Sequence, residues 1–173
     1  MEYYNDDLTA AESLVSLEAA DSILANTLHG RAWTARAESD RRACFDDPER
    51  QPERSDDKSA LRDASAMLAA QPWKGRPADS EQPQPFPRVG IRLDTGASVH
   101  GVPAAIQTAT ALLAAHLIPQ ADQPISPELL ISYAVGESQG VFRAPSLDSL
   151  PRHVRQLIQP YLNAGSGWAL VKA

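Results

Sequence analysis

Two short strings in this chain carry the residue types of hydrolytic active sites. Leu93-Asp94-Thr95-Gly96-Ala97-Ser98 holds the Asp-Thr-Gly core of an aspartic protease. That chemistry needs two carboxylates sharing one proton, supplied by two lobes or two copies. It also needs a β-rich fold, and here the string runs within a few residues into a helical pattern. The expected reading is therefore a turn. Gly136-Glu137-Ser138-Gln139-Gly140 fits the G-x-S-x-G of a nucleophile elbow, which needs a strand before it, a helix after it and a parallel sheet beneath. Val141-Phe142-Arg143-Ala144-Pro145 does not begin a helix and the chain has no βαβ series, so a hairpin turn is expected instead. His29, His100, His116 and His153 lack the i, i+4 pairing of a helical metal site. Cys44 is the single cysteine, which excludes an internal disulfide or a thiolate cluster. No Gly-rich phosphate loop is present. These residues predict a protein that is not an enzyme and holds no cofactor or metal.

The elements around those strings read as mainly α: a small helical bundle with a short β-hairpin and extended proline-rich and C-terminal arms. Ser16 is placed to cap a first helix whose Leu17, Ala20, Leu24 and Leu28 share a face until Gly30 stops it. A second helix is expected over Ala32 to Cys44. Residues 45–56 are charged and proline-broken, which predicts a solvated loop. A helix from near Asp57 presents Leu61, Ser65 and Leu68 and ends before Pro72. Residues 77–101 form a proline-rich, then irregular, connection. Pro103 suits the first position of the strongest helix, striped by Ile106, Ala109, Leu113 and Leu117. Leu129 to Val135 alternates as a strand should, with Val141 to Arg143 as its return. A last helix after Pro151 carries Val154, Leu157, Ile158 and Tyr161, and Pro160 should fray its end.

The bulk numbers fit one domain, taken as residues 1–162, followed by an arm at 163–173. The apolar fraction of 43% supports one core, and 14 prolines lie mostly between the periodic stretches. A net charge of −6 argues against a general nucleic-acid binder, whose surface is usually basic. No run approaches the roughly 18 apolar residues that span a bilayer, and the acidic start Met1-Glu2-Tyr3-Tyr4-Asn5-Asp6-Asp7 is unlike a signal peptide. Synthesis in the cytoplasm and no membrane association are the expectations.

The order of several short motifs carries a family resemblance. Ser13-Leu14-Val15-Ser16-Leu17-Glu18-Ala19-Ala20-Asp21 resembles the opening motif of a phage family labelled DnaT-like single-stranded-DNA-binding proteins. Trp33 stands where that family has a tryptophan after its first helix. Trp73-Lys74-Gly75-Arg76 is similar to its W-x-G-R turn, and Phe86-Pro87-Arg88-Val89-Gly90-Ile91 to its W-P-R-x-G-V element, with Phe86 in place of Trp. Asp94 to Gly96, Val102-Pro103 and Ala134-Val135-Gly136 follow in the family's order. The resemblance runs from about Ser13 to Leu162, and residues 45–56 look like an insertion.

Members of this family also resemble head-to-tail adaptors of tailed bacteriophages, and that is the function the resemblance implies first. It implies a structural neck subunit in the virion, with itself as partner in a ring of about twelve copies. The other partners would be the portal protein and a tail or stopper protein, with genomic DNA passing through the lumen without specific binding. On that reading Trp33, Trp73, Gly75, Arg76, Pro87, Arg88 and Gly90 set packing. Trp168, Leu170 and Val171 would reach a partner, since burying each apolar side chain is worth about 1.5–3 kcal/mol. The alternative implied by the family's label is a single-stranded-DNA-binding accessory protein of replication. Such a binder needs cations lined with exposed aromatics, whereas Arg31, Arg36, Arg41, Arg42, Arg50 and Arg54 are interspersed with acids.

Overall fold

The computed structural model describes residues 8–9, 11–46, 54–93, 95–120, 131–135, 138–142 and 149–163. Among them it is mainly helical, with five α-helices and two small antiparallel strand pairs. The helices are α1 (Leu17–Leu24), α2 (Arg31–Asp46), α3 (Ser55–Ala69), α4 (Ala104–Leu117) and α5 (Arg152–Ile158).

The bundle is built around α4. Its sequence AAIQTATALLAAHL carries no acid, lysine or arginine, and Ala109 through Ala115 are buried without a break. A helix apolar on all sides must be enclosed, and α1, α3 and α5 all pack against α4. Ile106, Leu112 and Leu113 of α4 share one core with Leu24, Leu61, Leu68, Val154 and Ile158. Thr110, the polar residue in the middle of this run, donates its hydroxyl to the Ile106 carbonyl at 2.9 Å and so stays satisfied. Pro103 caps α4 from extended backbone rather than occupying its first turn.

Local chemistry sets where α1 ends. The Ser16 hydroxyl accepts from the Ala19 N–H at 3.2 Å and caps its start. At the other end Thr27 donates both its N–H and its hydroxyl to the Leu24 carbonyl, at 3.0 and 3.1 Å, and closes the helix at Leu24. Leu28 is therefore not on the helix's buried face but 76% exposed, which corrects the stripe expected from periodicity. Gly30 is buried where a Cβ would run into the Leu24 carbonyl oxygen. α2 extends beyond its expected end and takes in Phe45 and Asp46, and α3 starts at Ser55, so helix replaces both edges of the expected 45–56 loop.

The 77–101 connection is anchored to the body by the buried side chains of Phe86 and Ile91. It pairs β1 (Arg76–Pro77) with β2 (Arg88–Val89), in register Arg76↔Val89 and Pro77↔Arg88, and Phe86–Pro87 is a cis peptide. The later hairpin pairs β3 (Ile131–Val135) with β4 (Ser138–Phe142). Ser138, expected within a turn over 136–140, instead pairs with Val135 as part of the strand. α5 ends in a 3-10 turn over Gln159–Tyr161 that contains Pro160.

Candidate nucleic-acid interface

The family motifs resolve into two structural knots. In the first, Ser13 and Ser65 hydroxyls lie 3.2 Å apart and the Leu14 N–H donates to Ser65 at 3.1 Å, which ties the opening motif to α3. Asp21, its last residue, accepts from the Trp33 indole N–H at 2.7 Å. Its other oxygen meets Arg54 at 2.6 Å. Arg54 also pairs with Asp57 at 2.7 Å, and its guanidinium lies 5.3 Å from the centre of the Trp33 ring. Arg36 adds a contact to Asp57 at 3.3 Å. Burial acts to lower the Arg54 pKa, but hydrogen bonds and charge from Asp21 and Asp57 outweigh it and hold it above the ordinary value.

The second knot gathers the middle motifs. The Trp73 indole is buried, donates to the Leu68 carbonyl at 2.9 Å and meets Phe86 edge to face at 5.0 Å. Arg88 donates to three backbone carbonyls: Lys74 and Gly75 at 2.8 Å each, and Pro85 at 3.2 Å. Gly75 has φ +70°, and a Cβ there would strike the Val89 carbonyl oxygen, so glycine is required for the two segments to meet. Gly90 has φ +81°, while Arg76 and Pro87 are exposed. A third strand-like contact, Trp73↔Leu162, brings in the end of the described chain, with Asn163 donating to Pro72 and Trp73 carbonyls. Trp168, Leu170 and Val171 lie outside the described residues, as does Asp94.

The described residues of the two hydrolase strings do not have the setting that such sites need. Ser138 opens a strand that continues to Phe142, where an elbow needs a helix. Gly96 closes a turn by donating to the Leu93 carbonyl at 2.8 Å. No cluster of three or more His, Cys, Asp or Glu able to hold a metal ion exists among the described residues, and no helix of theirs is long and apolar enough to cross a membrane.

With Trp33, Trp73 and Phe86 buried, a base-stacking surface must lie elsewhere. Phe45 on α2 is 86% exposed. Arg31, Glu38, Arg42 and Phe45 recur at spacings of seven, four and three, which puts them on one outer face of α2. Arg41 and Arg42 both reach Glu38, at 2.8 and 3.2 Å, so two guanidiniums share one carboxylate. With Asp46 these residues line an open hollow of about 330 Å³ beside the phenyl ring. The β1–β2 ribbon and the segment that follows it offer another basic surface, since Arg76 and Arg92 are exposed and carry no ion pair among the described residues. It has charge but no exposed ring. The α2 face alone among the described surfaces sets an exposed aromatic among arginines, the pairing that single-strand binding requires. Sequence reasoning missed it because Phe45 stood at the edge of an expected loop.

The junction at the other end of α2 also escaped the sequence. His29 from the α1–α2 connection stacks on His153 of α5, ring centres 4.3 Å apart and planes within 10°. Burial first, then the charge of His29 and His116, lowers the His153 pKa; burial and His29 lower that of His116.

A family model described as "Putative DnaT-like ssDNA binding protein" matches residues 6–173. No curated protein and no solved structure matches the chain. The match corrects the adaptor reading, because the family is described by single-stranded-DNA binding and not as a connector of head and tail. The neck subunit, the ring of copies, the portal and tail or stopper partners, and DNA as a passive passenger fall with it. The inference leaned on a net charge of −6, but a whole-chain sum conceals a local surface such as α2, where four arginines stand against three acids. By a match that spans nearly its whole length, this chain belongs to the DnaT-like single-stranded-DNA-binding protein family.

Proposed function

We propose that the protein binds single-stranded DNA as a non-catalytic accessory factor, with the outer face of α2 as its contact surface. The observation that carries the reading is the family match over residues 6–173. The surface supports it: Arg31, Arg41 and Arg42 supply charge for phosphates, and Phe45 supplies a ring on which a base can stack. Stacking is tolerant of sequence because every base has a π face. Phosphate contacts make binding salt-dependent through counterion release.

The test is fluorescence anisotropy with a labelled thymidine oligomer across a salt series. Binding is expected at low salt, with affinity falling as salt rises by roughly 0.7 in log–log slope per phosphate contact. Phe45→Ala should cost about 1–3 kcal/mol of binding with the salt slope retained. Arg41→Ala with Arg42→Ala should shallow that slope. Absence of binding at low salt, or equal affinity in Phe45→Ala, would sink the proposal for this surface.

A further inference from the structure

We infer that a bound single strand continues past Arg31 onto a second stacking platform, the exposed imidazole of His29 backed by His153, with Arg152 of α5 as a further phosphate contact. The inference rests on the single-strand-binding reading and adds the path of the strand and the length of the site.

Local bonding fixes where His29 stands. The Gly30 N–H donates to the Thr27 hydroxyl at 3.0 Å and to the Thr27 carbonyl at 3.2 Å. The Gly30 carbonyl in turn accepts from the Thr34 N–H at 2.8 Å and from the Thr34 hydroxyl at 2.9 Å. His29 is thus held between a closed turn and the start of α2. From the other side, Val154 and Ile158 are fully buried and fix α5 in the core. That sets His153, the neighbour of Val154, against the His29 ring at 4.3 Å. A ring so placed has little freedom left to lose when a base settles on it.

One face of the His29 ring lies against His153, with planes within 10°, yet His29 is exposed. With that face covered, the ring surface left to solvent is the opposite face and the edge. Imidazole belongs to the rings on which unstacked bases settle. Leu28 beside it is 76% exposed and widens the apolar surface. Stacking uses the π face, so neither ring has to change its protonation.

Two cations flank this ring. Arg31 follows His29 by two residues and Arg152 precedes His153 by one. At about 3.8 Å per chain step, their α-carbons lie within about 8 Å and about 4 Å of those of the stacked pair. Both arginines are exposed and carry no ion pair among the described residues. The outer face of α2 is therefore bounded by a ring at each end, phenyl at one and imidazole at the other, with arginines between. Fourteen residues of helix separate Arg31 from Phe45, about 21 Å at about 1.5 Å per residue. At about 3.4 Å per nucleotide, roughly six nucleotides cover that distance, and about one or two more reach His29.

The experiment follows the anisotropy of labelled thymidine oligomers of about 3 to 16 nucleotides at about pH 8, where a free imidazole is neutral. Affinity should climb steeply up to about eight nucleotides and slowly beyond. With an oligomer of about twelve nucleotides, His29→Ala should weaken binding about fivefold or more, and His29→Phe, which keeps a ring, should restore it. Arg152→Ser should shallow the log–log salt slope by roughly 0.7. His100→Ala, at an exposed site elsewhere, should leave binding as it was. Should His29→Ala fail to fold, photolysis of a 5-iodouracil oligomer on the unaltered protein reads the same contact. Adducts on His29 support the inference, and adducts confined to other residues overturn it. Affinity unmoved in His29→Ala, a loss that His29→Phe does not restore, or an unmoved slope in Arg152→Ser overturns the inference while the single-strand reading stands. No binding by any oligomer overturns both.

Discussion

Arg54 is the residue on which the joining of α1, α2 and α3 most depends. It is 10% exposed and spans Asp21 and Asp57, the latter 2% exposed. Removing one member of a buried pair leaves the other charged and unpaired. Arg54→Ala should therefore cost about 3–5 kcal/mol in urea unfolding, and a loss below 1 kcal/mol would show that water reaches Asp57 freely. Arg88 makes a different demand. Its planar fork reaches three carbonyls at once, which a single ammonium does not match. Arg88→Lys should lose about 2 kcal/mol by the same measurement. Little of either network is legible in the sequence. Ser13 meets Ser65 across 52 residues and Arg54 meets Asp21 across 33, and no local spacing records such meetings. The three histidines at positions 29, 116 and 153 were unreadable for the same reason.

Elements were far more legible than contacts. α3, α4 and α5 follow the hydrophobic period, because their burial is decided by residues three and four apart. α1 stops earlier than its period implies, since the Thr27 hydroxyl competes for the Leu24 carbonyl. The outer face of α2 was lost to a charged, proline-broken neighbourhood that masked its last turn. The junction of α5 with the α1–α2 connection has a measurable signature of its own. Burial holds the pKa values of His116 and His153 below the ordinary histidine value, so the unfolded chain binds protons more readily. Their contribution to stability is whole above that value and is lost as pH falls through it toward the lowered folded values. The urea midpoint should accordingly drop between neutral and mildly acidic pH, and His153→Phe should lessen the drop. An unchanged pH profile in that variant would mean that other groups govern it.

At the scale of the molecule, charge is unevenly informative. A total of −6 is a statement about solubility and long-range attraction, whereas binding is decided by the field within about 8 to 10 Å of a surface. The outer face of α2 is where those two scales part, and Arg31, Arg41 and Arg42 are its source. Replacing all three by Ser should abolish oligomer binding at moderate salt while leaving the circular-dichroism spectrum and melting near normal. Loss of fold in that variant would show that the face serves α2 itself.

The enclosure of α4 has a consequence for how the chain is made. Synthesis delivers α1, α2, α3 and α4 in turn, and the helix that covers the remaining side of α4 comes last, at Arg152–Ile158. Until the ribosome has released that segment and the Leu162 contact to Trp73, α4 stands with an apolar flank open to water. A nascent chain in that state is a substrate for chaperones and a seed for aggregation. Stalling translation near residue 145 should then yield chains captured by holdase chaperones or found in the pellet, and completion and release of the chain should bring it into a protease-resistant form.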